Sequence, residues 1–281
     1  MKRLVIIGVG LIGGSLGMAA RGRRLAQTVV GIGRSADTLR QALQLGAIDE
    51  AASDFATGIQ AADVVVLATP IPQILDDLAR LPALLAPGAV VTDVGSTKGE
   101  IARAGDRLFP GGVFVPGHPM AGSERSGVEA ARADLFIEAT WALTPTPQTD
   151  PEALNRIRDL ARGVGARTVL LDPDAHDRGV AVTSHLPHVL AYALAALAGK
   201  ESQTSPALLD LAAGSFASAT RVAGSSPELW RDIALSNRTA LLRAVRAYRA
   251  TLGEVEAALE RGDGDALLDL FQEGNLARKG A

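Results

Sequence analysis

The sequence predicts an α/β chain in two parts, a parallel-sheet domain over residues 1–172 and an all-helical domain over residues 173–281. Three observations predict it. Short β-rich apolar runs alternate with helical stretches as far as Leu171, the pattern of strands joined by helical crossovers. The first run closes on a glycine motif that opens a helix. From Asp174 onward no strand pattern is convincing, and helical periodicity takes over.

Leu4-Val5-Ile6-Ile7 has the look of a strand buried on both faces. Gly8-Val9-Gly10-Leu11-Ile12-Gly13 follows with the spacing G-x-G-x-x-G, then Gly14, Ser15 and an alanine-rich helix. In this context Gly8 makes the tight turn, Gly10 lets backbone approach a pyrophosphate, and Gly13 lets helix and strand pack closely. The helix N-terminus offers free N–H groups to phosphate. A strand before and a helix after are what the motif needs to mark a Rossmann-type dinucleotide site.

The first helix ends near Arg21-Gly22, and Thr28 to Ile32 reads as the second strand. Ala36 to Leu45 is a helix stopped by Gly46. Ala62 to Ala68 is a strand terminated by Thr69-Pro70, and Pro72 suits the first turn of the next helix. Ala89 to Asp93 is a strand, Gly99 to Leu108 a helix, and Val113 to Val115 a strand. Thr140 to Thr144 and Thr168 to Leu171 are late strands around a helix opened by Asp150-Pro151-Glu152. In the second part, Asp174 to Leu197 reads as one long helix kinked at Pro187. Short helices follow between Pro206 and Ala219. Ser226-Pro227-Glu228 opens a helix reaching Glu260, and Asp263 caps a last one through Phe271. The apolar helical surface exceeds what one small bundle needs, so a homodimer through the helical domain is expected.

The chain of 281 residues is 47% apolar and 21% charged, which argues against disorder. A net charge of −3 without a basic block gives nucleic acid no footprint. Zero cysteines exclude disulfides and thiol chemistry. No uninterrupted apolar run reaches bilayer length. Lys2-Arg3 before an apolar run imitates a signal peptide, but the glycines that follow and the absence of a small-residue cleavage pattern favour a mature cytoplasmic protein without a membrane partner.

Three polar clusters fall at strand carboxyl ends, where open sheets bind ligands: the glycine loop, Ser96 to Lys98, and His118. The candidate cofactor residues are Gly8, Gly10, Leu11, Ile12, Gly13, Arg34, Ser35, Thr69 and Pro70. Where an acid usually holds the ribose 2′-hydroxyl, the chain has Gly33-Arg34-Ser35, which points to NADP over NAD. A solvated surface arginine is the other reading of Arg34. His118 is the candidate base beside the nicotinamide, with a structural loop histidine as the alternative. Ser96 and Lys98 read on spacing alone as a helix cap and a solvated lysine. His185 and His188, three apart, share a helix face and suit a small-molecule cleft. A zinc site lacks a third ligand there, so no metal is expected. His176 reads as structural. Arg221 is either a carboxylate clamp or a surface ion pair, and Trp230 either a pocket wall or core.

Taken together, these motifs resemble the prephenate/arogenate dehydrogenase family of tyrosine biosynthesis, over nearly the whole chain. They are Gly8 to Ser15, Asp93-Val94-Gly95-Ser96-Thr97-Lys98, Gly117-His118-Pro119-Met120-Ala121-Gly122, Ser184-His185-Leu186-Pro187-His188, and Thr220-Arg221 with Pro227-Glu228-Leu229-Trp230. The resemblance implies oxidative decarboxylation of a cyclohexadiene with hydride transfer to NAD(P)⁺. It implies that His118 accepts the 4-hydroxyl proton, Ser96 hydrogen-bonds that hydroxyl, and Arg221 binds a substrate carboxylate. His185, His188, Glu124 and Trp230 would line the pocket. Ala217 and Ser218 stand where some members carry charges, which affects how the substrate side chain is held. The chain begins at the first strand and ends soon after the last helix, so neither a fused mutase nor a regulatory domain is expected. No single residue decides between prephenate and arogenate; by the resemblance Glu124 and Trp230 lean towards prephenate, and Arg34 leans weakly towards arogenate, the alternative. Two other classes also remain: a β-hydroxyacid or imine-type dehydrogenase, and a catalytically silent NADP-binding sensor.

Overall fold

A computed structural model describes residues 1–123 and 125–279. The first half runs β1 (Arg3–Ile7), α1 (Leu11–Gly22), β2 (Thr28–Ile32), α2 (Ala36–Gln44), β3 (Glu50–Ala52), α3 (Phe55–Ile59), β4 (Val64–Leu67), α4 (Ile71–Arg80), β5 (Val90–Asp93), α5 (Gly99–Leu108) and β6 (Phe114–Val115). The six strands form one parallel sheet in the order β3-β2-β1-β4-β5-β6. That is the order of a dinucleotide-binding sheet. Successive residues of β1 serve opposite cores: Leu4 and Ile6 join one, Val5 and Ile7 the other. This period of two explains why the run carries no polar residue.

β3 and α3 are not evident in the sequence. Glu50–Ala52 has no apolar alternation and gains its strand character by pairing with β2. Asp54 then caps α3 by accepting from the Thr57 N–H at 2.7 Å. After Pro116 the chain leaves the large sheet. β7 (Gly117–Pro119), β8 (Thr140–Leu143) and β9 (Arg167–Leu170) make a separate three-stranded sheet, with α6 (Pro151–Gly163) between the last two. β7 runs antiparallel to β8, and His118 pairs with Ala142. The segment expected as a loop is therefore a short strand.

The helical part comprises α7 (Pro173–Val180), a π-helical turn (Ala181–His185), α8 (Leu186–Glu201), α9 (Gly214–Thr220), α10 (Pro227–Ser236), α11 (Arg238–Arg261) and α12 (Gly264–Lys279), with 3₁₀ turns at Pro206–Leu211 and Arg221–Gly224. Two expectations need correction here. The long helix is irregular before Pro187, not at it. Pro187 occupies the first turn of α8, and the wide π turn relieves its clash with the preceding carbonyl. The helix expected from residue 226 to Glu260 is broken at Asn237, whose φ of −107° and ψ of 28° leave the helical region. α12 also runs past Phe271, and its cap is Asp263, which accepts from the Ala266 N–H at 3.0 Å.

The 29-residue run Pro173–Glu201 is long and apolar enough to reach across a bilayer, although no uninterrupted apolar stretch of that length exists. His176, Asp177 and His185 lie along it, buried in the protein. The helical domain's own core is small, formed by buried Ala181, Leu186, Leu241 and Ala244. Leu211, Leu235, Leu259, Phe271 and Leu276 are exposed. Ile233 of α10 instead enters the core beneath the large sheet, docking the two parts on each other.

Candidate active site

The carboxyl edge of the parallel sheet carries the site. Gly8 turns with φ +94°, and a Cβ there would lie 2.7 Å from the Ala68 carbonyl oxygen. A Cβ at Gly13 would lie 2.1 Å from the Gly8 oxygen, so α1 packs against β1 only without a side chain there. Above Gly10 the space is open, with nothing within 4 Å of a Cβ. α1 starts directly after Gly10, so its first N–H groups face that opening. A cleft of about 680 Å³ begins here, lined by Gly8, Gly10, Arg34, Ser35 and Thr69 among others. These features fit a dinucleotide: a glycine cradle that a Cβ would fill, and a helix terminus for its phosphates.

Leu11 and Ile12 open α1 and pack against the core. Pro70 is the exposed N-cap residue of α4, outside the cleft lining. Ser35 caps α2 through the Thr38 N–H at 3.2 Å. The cleft also contains residues that the sequence reading missed. Arg80 lies 3.7 Å over the Phe55 ring and 3.6 Å from Asp77. Buried Asp77 accepts from Gln73 at 3.1 Å and Thr69 at 3.3 Å. Burial pushes its carboxyl up, against the pull of those hydrogen bonds and Arg80.

The loop after β5 is held from both domains. Asp93 accepts from the Gly95 N–H at 2.8 Å, the Gly117 N–H at 3.1 Å and the Lys98 ammonium. Lys98 donates also to the Gly117 carbonyl at 2.7 Å. Lys98 is completely buried, so the solvated-lysine reading is wrong. Its work is to tie the β5 loop to β7, one residue before His118. From α7, Asp177 accepts the Lys98 and Gly99 N–H groups at 2.7 and 2.8 Å. Thr97 donates to Ser236 of α10 at 3.1 Å. Ser96 sits half-buried within this clamped loop.

His118 is buried, with Nδ1 2.9 Å from Nε2 of His176. His176 Nδ1 lies 2.9 Å from the Asp177 carboxylate. His176 is therefore a partner of the candidate base, joining it to Asp177. Burial, then the neighbouring His176, Lys98 and His185, hold His118 well below 6.5. Burial alone would raise Asp177. Hydrogen bonds from His176 and the Lys98 and Gly99 amides outweigh it and hold the carboxyl down.

The helical domain brings the rest together. His188 stacks on Trp230 with centroids 3.4 Å apart, and His185 meets the same ring edge-on at 6.0 Å. Burial lowers His185 to about 4, and also lowers His188, where the Arg221 charge adds to the effect. Arg221 thus stands near His188, which is itself stacked on Trp230. Glu124 lies outside the described residues. Among the described residues no group of three metal-ligating side chains could hold an ion.

Comparison with known proteins agrees with this layout. The family model described as "Prephenate dehydrogenase, nucleotide-binding domain" matches residues 16–170, and "Prephenate dehydrogenase, dimerization domain" matches residues 172–273. The chain is 36% identical to the prephenate dehydrogenase of Bacillus subtilis, over 99% of its own length and 75% of that protein's. It is 35% identical to the cyclohexadienyl dehydrogenase of Zymomonas mobilis, over 99% and 95%. The crystal structure of A. aeolicus prephenate dehydrogenase with hydroxyphenyl propionate and NAD⁺ superposes with a TM-score of 0.94, at 31% identity, covering 100% of this chain and 98% of that one. With two adjoining family models spanning the fold and a histidine cluster at the sheet's carboxyl edge, the chain belongs to the prephenate/arogenate dehydrogenase family.

Proposed function

We propose that this protein oxidatively decarboxylates prephenate to 4-hydroxyphenylpyruvate and CO₂, in L-tyrosine biosynthesis, with residues 1–172 carrying the cofactor and residues 173–281 the substrate. The observation that carries the reading is the chain of neighbours that runs from His118 to His185, on to Trp230 and His188, and so to Arg221. When bound, the nicotinamide supplies the hydride acceptor. His118 takes the proton of the 4-hydroxyl as that carbon is oxidised. It returns the proton to the ring oxygen after CO₂ has left and the ring has become aromatic. Ser96, fixed in its clamped loop, hydrogen-bonds the same hydroxyl. Arg221 pairs with a substrate carboxylate while Trp230, His185 and His188 wall the pocket, with Glu124 assigned to the same pocket by family resemblance. Arogenate, which carries an amine where prephenate has a ketone, is the second reading, supported by the cyclohexadienyl dehydrogenase among the relatives.

NADP is the proposed cofactor. Arg34 lines the cleft of the glycine loop, and Gly33 stands beside it where an acid would repel a 2′-phosphate. One experiment addresses substrate and cofactor together: turnover of prephenate and of arogenate, each with NAD⁺ and with NADP⁺, in the wild type and in Arg34→Ala. Loss of one charge-assisted pair should lower kcat/KM with NADP⁺ by roughly tenfold to a hundredfold and leave NAD⁺ turnover almost unchanged. Equal kcat/KM for the two cofactors in the wild type would remove the Arg34 argument, and no turnover of either substrate would return the silent-sensor reading.

A homodimer through the helical domain is proposed on its small core and its many exposed leucines. Light scattering at micromolar concentration should give twice the mass of one chain. A monomer at that concentration contradicts the proposal.

A further inference from the structure

Asp177 links two histidines of the candidate site. Its carboxylate leads through His176 to His118, and its main-chain carbonyl leads through Asn237 to His185. We propose that Asp177, His176 and Asn237 are positioning residues that hold His118 and His185 in opposite neutral tautomers, a bare Nε2 on His118 and an Nε2–H on His185. The catalytic meaning of this arrangement rests on the reading of His118 as the general base.

The first branch follows from donor and acceptor counts. Asp177 accepts two backbone N–H groups, from Lys98 at 2.7 Å and Gly99 at 2.8 Å. A carboxylate held this way is ionised and can only accept. His176 Nδ1, at 2.9 Å, must therefore be the donor. A neutral His176 then has its lone pair on Nε2, and His118 Nδ1, 2.9 Å away, must donate to it. His118 is left with a lone pair on Nε2, the state a general base needs. When that nitrogen takes a proton, the charge it creates is two hydrogen bonds from an anion.

The second branch starts at the Asp177 carbonyl, which can only accept. Asn237 Nδ2 lies 2.7 Å from it, so the amide nitrogen is fixed on that side. The same Nδ2 is 3.1 Å from His185 Nδ1. His185 therefore accepts at Nδ1 and carries its proton on Nε2. That Nε2 is buried and has no hydrogen-bond partner among the described residues. A buried donor without an acceptor has lost its water and gained nothing in return. An acceptor oxygen on the substrate would satisfy it. His188 differs again: its Nδ1 donates to the Ser184 carbonyl at 2.9 Å. Of the four histidines in the chain, three are thus Nδ1–H and His185 alone is Nε2–H.

Long-range ¹H–¹⁵N spectra of the ¹⁵N-labelled full chain at neutral pH read the tautomers directly, with single His→Gln variants to assign the four rings. The expected pattern is Nδ1–H for His118, His176 and His188, and Nε2–H for His185. A proton on Nε2 of His118 or on Nδ1 of His185 in the wild type overturns the inference, whatever the variants do. Kinetics supply the second arm. His176→Gln keeps an acceptor oxygen for His118, whereas His176→Leu keeps none. The leucine variant should lose roughly tenfold to a hundredfold more kcat than the glutamine variant, at unchanged cofactor Kd. In a His118→Asn background the two should agree within about twofold, because both act through His118. Unequal effects there overturn the inference. If His118→Asn alone keeps its kcat while the tautomers are as expected, the base assignment fails and the positioning network stands.

Discussion

Replacing His118 by asparagine should lower kcat by about 10²- to 10⁴-fold, the usual worth of a positioned general base. Cofactor Kd should hardly change, because the cleft that begins at the glycine loop is lined by the ends of β1 and β2 and by the segments that follow β1, β2, β3 and β4, and His118 is not part of that lining. Asparagine keeps a side-chain N–H that can reach His176, so the loss reports on the missing base and less on a collapsed network. A variant with near-normal kcat would end the assignment. The wild type should show a matching pH dependence. The base works unprotonated, and His118 is held well below 6.5 by burial and by His176, Lys98 and His185. kcat/KM should therefore be flat through neutral pH and fall only as pH drops through that depressed value. An acid limb above pH 6.5 would contradict the burial described for His118.

The second large effect concerns stability. Lys98→Met should cost about 3–5 kcal/mol, because it strands the Asp93 carboxylate without its cation in a fully buried site. Burial pushes Asp93 up and Lys98 down; their mutual contact counters this on both sides, helped by the Gly95 and Gly117 amides at Asp93 and by the Asp177 charge near Lys98. At about 2–4 °C per kcal/mol for a domain of this size, Tm should fall by roughly 10 °C. Adding Asp93→Asn should recover part of the loss, since the double variant buries no lone charge. Thermal unfolding of the single and double variants measures both. A Lys98→Met protein as stable as the wild type would mean that the pair is not the tie between the β5 loop and β7.

The parts of the molecule legible in the sequence are those where one residue type has one physical use. Gly8 and Gly13 could be read because a Cβ at either would strike backbone, and Leu4 to Ile7 because a strand buried on both faces admits no polar residue. Asp150 and Ser226 announced their helices as caps. The failures share a different cause. Lys98 looked solvated because its partner, Asp93, becomes visible only as a buried neighbour once the loop has folded. The contact of His176 with His118 was not readable because it spans 58 residues. Asn237 lies in an otherwise helical pattern, and nothing local distinguishes a helix-breaking asparagine from a tolerated one. Pro187 was visible, but the π turn that accommodates it lies upstream, among residues with no special signature.

The clamp at Asp177 has a consequence for how the two domains depend on each other. Its carboxylate is at once the acceptor for the N-terminus of α5, in the first domain, and the anchor of the histidine network, in the second. Separating the domains would strip both functions in one motion. The glycine cradle would persist as a cofactor site, but His118 would lose the neighbour that orients its ring. On the proposed reading, docking acts as an interlock: with its halves apart, the chain would keep its glycine cradle but the proposed base would lose its alignment.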